Sequence, residues 1–322
     1  MTGFLLWHGL AEATRQNYET PRRSFFLFSA LKGYRHRGGE CLPAKAVWLI
    51  EWIASLAGRV KVKTMKVYLS GLRSCHVDLG LPIVAFQDDR LERVIRGIKR
   101  QFGEANRRER TPLTRDALVL ILRCLQEPTY ENITLRAAFT LAFAGFLRVG
   151  EFTYRAKDLD LGHNFRSWFL TKSSVTISTD RSHMSVNLPA SKTDPFRGGV
   201  EILIAATRDE ACPVKAMRRL RRWDHLRPSS APLFTAHAAL RSPFTREWVV
   251  ERLRSLAATA GLGTGAWNGH SFRRGAATWA AERGLPEDSI QALGRWSSTA
   301  YRAYIETSYD ARIALSRRFQ RP

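Results

Sequence analysis

The sequence predicts a mainly α chain: an all-α domain over residues 1–102, a linker over 103–113, and an α+β domain over 114–322 with a small antiparallel sheet. Three observations carry this. Apolar residues recur at helical spacing through residues 1–102. A polar, highly charged segment ending in Thr111-Pro112 interrupts the pattern. Beyond it the period drops to two over three short runs and then returns to helical.

Taken in order, a helix is expected over Glu12–Leu31, with Pro21 as its candidate break. Ala44–Leu56 is a second, apolar through Val47, Trp48, Leu49, Trp52 and Ile53. A third covers Val62–Leu79, where Val62, Met65, Leu69, Leu72 and Leu79 share a face and Gly80 follows as a stop. Asp88 can cap a fourth that buries Leu91, Val94, Ile95, Ile98 and Phe102. After the linker, Thr114 caps a helix over Arg115–Leu125 with Leu118, Leu120, Ile121 and Leu125 inward. The next, Thr134–Leu147, is rich in Ala, Leu and Phe and reads as buried. Val175 and Ile177, then Met184, Val186 and Leu188, then Val200, Ile202 and Ile204 alternate with polar residues, as in a half-buried sheet. From Pro213 the chain returns to helix. It shows no internal repeat and no low-complexity segment.

Charge narrows the partner. The 322 residues hold 51 Lys and Arg against 29 Asp and Glu, a net +22, while the 44 % hydrophobic content is that of a folded protein. A surplus this large opposes compaction unless an anion is the working partner. Split at Pro112, the halves carry 20 − 10 = +10 and 31 − 19 = +12, so the charge is no appended tail. Both halves are then expected to touch one polyanion, and double-stranded DNA leads. A membrane, the second candidate on charge, is not expected as a partner, because no stretch approaches the ~20 apolar residues of a spanning helix. The apolar run Phe4–Trp7 lacks the basic flank of a secretory signal. Cys41, Cys75, Cys124 and Cys212 are scattered without a CxxC pair, which argues against a zinc site and a disulfide framework and for a reducing compartment.

Three local patterns could carry chemistry. Arg148 with Glu151 closes the Ala-Gly-Phe-Leu-Arg-Val-Gly-Glu run. Alone, an i, i+3 ion pair explains it. His270 and Arg273, in Gly-His-Ser-Phe-Arg-Arg-Gly, are an HxxR whose donors would share one face of a helix and suit phosphate oxygens. Alone it is weak. Leu293-Gly-Arg-Trp296-Ser-Ser with Tyr301 and Tyr304 is, alone, an aromatic cluster better explained by packing.

In this order, with Lys192 between the first two, they resemble the tyrosine recombinase (phage integrase) family over about Thr114–Tyr309. The run His270–Ala277 looks Cre-like. Leu188–Gly199 and Gly-Arg-Trp-Ser-Ser look most like the recombinases of eukaryotic mobile elements of the Crypton and DIRS type. The N-terminal half is similar in type, though not in motif, to the family's core-binding domain.

The resemblance implies a catalytic domain that cuts and rejoins DNA through a 3′-phosphotyrosine without ATP, in a homo-tetramer on DNA with a dimer on each site, a monomer being open for the free protein. Arg148 and Arg273 would clamp the scissile phosphate, and His270 would bind it and handle a proton. Lys192 would protonate the leaving 5′-oxygen, with Lys172 as rival. Glu151 would orient the site, and Trp296 would pack on the phosphate and donate its indole N–H. The nucleophile is assigned to Tyr304, with Tyr301 and Tyr309 as rivals. The step from Trp296 to Tyr304 is one residue shorter than the Cre-like spacing, which Arg295 keeps, so either can fill that slot. The tail after Tyr304, with Ile313, Leu315 and Phe319, either docks on a neighbouring protomer or packs on its own domain.

Lys61, Lys63, Lys66, Arg93, Arg96, Lys99 and Arg100 are the DNA-binding candidates of the N-terminal half, mostly for backbone phosphates. Arg, Lys and His fill the cation roles, so no cofactor or metal is expected and activity should survive EDTA. The expected location is nuclear in a eukaryote, nucleoid or cytoplasmic in a bacterium. A DNA-binding protein of the same fold without strand transfer is the alternative. A relaxing topoisomerase is disfavoured, because no long coiled-coil linker precedes the Tyr.

Overall fold

The computed structural model describes residues 1–103, 111–190, 194, 198–238, 242–263, 265–305, 313, 316, 317, 319 and 320. The chain forms two compact units, Met1–Arg107 and Arg108–Pro322. It is mainly helical, with one small sheet in the second unit. Among the described residues no helix is long and apolar enough to cross a membrane.

The first unit is all α: α1 (Thr2–His8), α2 (Glu12–Lys32), α3 (Ala46–Ser55), α4 (Val62–Asp78) and α5 (Asp89–Phe102). The Asp88 carboxylate caps α5 by accepting from the Arg90 N–H. Its core gathers Phe25, Trp48, Leu49, Trp52, Ile53, Met65, Leu72, Leu91, Ile95 and Ile98. Phe102, expected inside, is exposed. The break expected at Pro21 does not occur, and α2 runs through it. Gly71 of α4 explains why the ring is tolerated. A Cβ there would sit 2.6 Å from Pro21 Cγ and 2.9 Å from Tyr18 Cδ1, so α2 and α4 meet where one helix offers no side chain. That packing offsets the single helix hydrogen bond the proline removes.

The second unit begins with α6 (Arg115–Arg123), capped by the Thr114 hydroxyl, and α7 (Tyr130–Ala144). α7 starts four residues before the expected Thr134, because the Thr129 hydroxyl caps it by accepting from the Asn132 N–H. It stops before Leu147 because Phe146 turns left-handed, at φ 50°. Three antiparallel strands follow, β1 (Val175–Ile177), β2 (His183–Leu188) and β3 (Val200–Ala205), in the order β1-β2-β3. Val175 pairs with Val186, and Val186 with Ile202. Met184, Val186, Leu188 and Ile204 are buried, as their two-residue period predicts. α8 (Pro213–Trp223), α9 (Arg246–Thr259), α10 (Ser271–Glu282) and α11 (Glu287–Gly294) complete the unit around the buried α7.

Leu113, placed at the end of the expected linker, is fully buried in this core. Its N–H donates to the Ser271 carbonyl at 2.9 Å. Its own carbonyl lies where a Cβ on Gly275 would fall, 1.7 Å away. Gly275 is therefore required for the strand of chain leading into α6 to lie against α10. The rest of that linker, residues 104–110, lies outside the described residues.

Candidate active site

The site forms where three chain turns meet. The first follows α7. After the left-handed Phe146, Arg148 caps a single 3₁₀ turn, Val149–Glu151. The Glu151 carboxylate folds back onto it. One oxygen accepts from the Arg148 backbone N–H at 2.9 Å and the other from Arg148 Nη1 at 2.6 Å. The i, i+3 pair read from the sequence therefore exists, and it fixes one edge of the guanidinium while leaving its other donors available.

The second turn opens α10. His270 is not on the helix with Arg273, as the HxxR spacing suggested; it is the residue before the first turn, so it stands at the helix mouth. Its backbone N–H donates to Asn268 Oδ1 at 2.9 Å. The Gly269 carbonyl accepts from the Val149 N–H at 3.3 Å. A Cβ at Gly269 would reach within 2.3 Å of Val149 Cγ1, so the glycine allows the Arg148 and His270 turns to touch.

Arg273 is fully buried. Nη1 donates to the Phe146 carbonyl at 2.8 Å and Nη2 to the Gly294 carbonyl. Its guanidinium lies over the Trp296 ring, 4.2 Å from the centroid. Burial, followed by the charge of Arg148, pushes its pKa down to about 9. It stays cationic near neutrality, and an arriving anion would restore what burial removes.

The third turn, after α11, supplies Arg295 and Trp296. Arg295 is left-handed, at φ 55°. Its side chain reaches the turn before Arg148. Nη1 donates to the Gly145 carbonyl at 2.9 Å, and Nη2 reaches Glu151 Oε2 at 3.3 Å. Burial lowers its pKa as well. The Trp296 ring lies 5.5 Å from that of Tyr304 and 6.2 Å from that of Phe146. A Cβ on Gly294 would overlap the Trp296 ring at 1.5 Å, which accounts for the glycine of Gly-Arg-Trp.

Tyr304 ends a 3₁₀ turn, Thr299–Ala303, and is half-buried. Its hydroxyl is 3.5 Å from His270 Nδ1, and the Arg274 guanidinium lies 5.5 Å from its ring centroid. Tyr301, the rival, is buried, with its hydroxyl donated to Glu287 Oε2 at 2.6 Å. Tyr309 lies outside the described residues, as do Leu315 and most of the tail; Ile313 and Phe319 are exposed.

Lys192 also lies outside the described residues, on the β2–β3 connection. Its rival Lys172 is committed elsewhere. Its ammonium donates to the Asp224 and Arg227 carbonyls and stands 3.8 Å from Asp224 Oδ2. In the first unit Lys61, Lys63, Lys66, Arg93, Arg96, Lys99 and Arg100 are all exposed on α4 and α5 or at the start of α4, and Lys66 stands 3.8 Å from Glu92.

The structure thus brings Arg148, Glu151, His270, Arg273, Trp296 and Tyr304 together. Sequence reasoning weighed Arg295 only as a substitute for Trp296 and missed its bond to Glu151. Three guanidiniums face one carboxylate in a desolvated site, so the cluster is short of negative charge. An anion with several oxygens is the ligand that completes it. Among the described residues no group of His, Cys, Asp or Glu could hold a metal ion.

The phage integrase family matches residues 112–310. The chain is 24 % identical over 273 residues to an integrase/recombinase XerD homolog of Selenomonas ruminantium, covering 82 % of this chain and 74 % of the relative. Its fold is similar to that of XerH site-specific recombinase bound to a palindromic difH substrate, at TM-score 0.61 and 14 % identity over 95 % of this chain and 80 % of that one. It is also similar to the Tn1549 transposon integrase in complex with transposon right end DNA, at TM-score 0.55 and 16 % identity over 97 % and 95 %.

Proposed function

We propose, from the premise that the chain belongs to the phage integrase family, that it is a site-specific DNA recombinase that cuts and rejoins duplex DNA through Tyr304. The observation that carries the reading is the Tyr304 hydroxyl, 3.5 Å from His270 Nδ1, beside a guanidinium cluster short of anions.

The chemistry follows from what each group supplies. A phenol is a weak nucleophile near neutrality and must lose its proton as it attacks. In this reading His270 Nδ1, 3.5 Å from the hydroxyl, takes that proton. Arg148 and Arg273 stabilise the charge that grows on the non-bridging oxygens. The Tyr304 oxygen bonds to phosphorus as the bond to the 5′-oxygen breaks, and Lys192 gives the departing oxygen its proton. Glu151 holds Arg148 in place, and Trp296 walls the phosphate site while offering its indole N–H. One phosphodiester replaces another, so rejoining by the reverse path needs no ATP.

The biological setting we propose is integration or excision of a mobile element, with a tetramer on DNA and a dimer on each site. The likeness of the Gly-Arg-Trp-Ser-Ser segment to Crypton and DIRS-type recombinases supports the first. A dimer on each site predicts that DNA selected from a random pool contains two inverted half-sites.

The test uses a duplex recovered by such a selection, nicked beside the cut so that the released strand diffuses away. With EDTA present and ATP absent, protein should become covalently attached to DNA, and an added strand with a free 5′-hydroxyl should reverse it. Tight binding without any adduct would instead favour a DNA-binding protein without strand transfer.

A further inference from the structure

Helix α8 carries Lys215, Arg218, Arg219, Arg221 and Arg222 and no acidic residue. The helix sorts them by face. Pro213, Val214, Ala216, Met217 and Leu220 are buried. Arg221 is used inside the unit, where Nη2 donates to the Val175 and Lys172 carbonyls. The other four stand at i, i+3, i+4 and i+7, which places them on one stripe of the helix. Lys215, Arg219 and Arg222 are exposed and Arg218 is half-buried.

The carboxylates near this stripe are already engaged. Glu210 pairs with Arg123 at 2.6 Å, Asp209 pairs with Arg115, and Asp224 is buried between Arg227 and Lys172. Among the described residues none pairs with Lys215, Arg218, Arg219 or Arg222. Lys215 and Arg219, and Arg218 and Arg222, repel at i, i+4, and Lys215 opposes the dipole in the first turn, while the last-turn Arg222 is favoured by it. The repulsion along the stripe is therefore not relieved by a carboxylate among the described residues. The field extends to the half-buried Arg136, which burial and Arg219 push down. Trp223 and Leu226, both strongly exposed, border its far end.

The direction of the stripe follows from its ends. Pro213 lines a cavity with Phe143 and Phe146, at the site end of α7. Beyond α8, Arg227 Nη1 donates to the Tyr130 hydroxyl at 2.9 Å, at the opposite end of α7. From Lys215 to Arg222 the helix rises about 10 Å, so the cations lead away from the candidate site.

We infer that the Lys215–Arg222 stripe of α8 is a second nucleic-acid surface, which grips the backbone of duplex DNA beyond the segment that meets Arg148 and Arg273. The inference rests on duplex DNA being the substrate. No base edge is read by such a row of point charges, so the contact is independent of sequence.

The experiment measures affinity of the full chain for a mixed-sequence duplex of roughly four helical turns across a salt series. The variants are Arg219→Gln/Arg222→Gln and Arg219→Lys/Arg222→Lys. The glutamine pair should make the slope of log affinity against log salt shallower by about 2, and the lysine pair should keep the wild-type slope. Thermal unfolding guards against misfolding, since losing the repulsion and losing the last-turn Arg222 offset each other and should leave the midpoint near that of the wild type. A glutamine pair that folds and keeps the wild-type slope overturns the inference, and so does a lysine pair that loses it. The covalent trap above, run on the wild-type chain, is a separate arm. If no adduct forms while the glutamine pair still lowers the slope, strand transfer is refuted and the α8 surface stands.

Discussion

Arg295 Nη2 stands 3.3 Å from Glu151 Oε2, joining two turns that lie far apart in sequence. The same carboxylate grips Arg148 through its backbone N–H and its side chain. Arg295 also donates to the Gly145 carbonyl, beside Phe146, whose carbonyl accepts from Arg273. The two arginines proposed to hold the phosphate are thus tied to one another through Glu151, Arg295 and the turn before Arg148. Phe146 and Arg295 are both left-handed without being glycine, a strained arrangement that surrounding bonds must hold.

If Arg295 acts through Glu151, their effects are not additive. Arg295→Met should lower single-turnover cleavage about tenfold, roughly 1.4 kcal/mol, as for members of one buried network. In a Glu151→Gln background the same change should have less than about a threefold effect. A full loss in both backgrounds would place Arg295 on the phosphate itself.

A neutral scissile link tests whether the clamp acts on the phosphate charge. Arg148→Ala should slow cleavage of an ordinary phosphodiester by about a hundredfold or more, and much less on a methylphosphonate at the same position, where less charge develops. Arg295→Met, acting through Arg148, should lose most of its effect on the methylphosphonate too. Equal losses for Arg148→Ala on both substrates would remove it from the phosphate.

Gly294 tests the Trp296 wall without removing a charged group, although its carbonyl accepts from Arg273 Nη2. Gly294→Ala places a Cβ where the Trp296 ring lies, 1.5 Å from Cζ3. The ring must leave Arg273, at about 1–3 kcal/mol of stability, read by thermal unfolding. Cleavage at saturating DNA should fall by more than affinity does. Cleavage equal to wild type would show that Trp296 need not sit over Arg273.

The Tyr301 hydroxyl and Arg302 guanidinium both donate to Glu287 and hold its carboxyl below the ordinary glutamate range. Because the folded value is depressed, the stabilisation is complete above the unfolded glutamate value, about 4.3, and is lost as pH falls through the lower folded one. The difference in thermal midpoint between wild type and Glu287→Gln should be full near neutrality and close in acid. A difference that persists unchanged in acid would mean that Glu287 acts without its charge.

What could be read in advance divides by range. The buried faces of α4 and α5 were legible except at their C-terminal ends, where Leu79 and Phe102 are exposed, and so was the two-residue period of β2, because each depends on neighbours in sequence. The caps Asp88 and Thr114 were legible for the same reason. The continuity of α2 through Pro21 was not, since it depends on Gly71 of another helix. Nor was the burial of Leu113, which needs Gly275, or the engagement of Lys172 by the chain around Asp224. In the site, the residue types were visible in order, but Arg295 was not placed. Its direction is set by a left-handed turn and by carbonyls far away in sequence. The preference for Tyr304 over Tyr301 gains support from a contact equally invisible beforehand, the bond from Tyr301 to Glu287.

The most direct measurement is to digest the covalent protein–DNA product formed on the nicked duplex and identify the modified residue by mass spectrometry. The expected adduct is a phosphodiester on Tyr304, absent from Tyr304→Phe and retained in Tyr301→Phe. An adduct on any other residue, or one that survives Tyr304→Phe, would contradict the account.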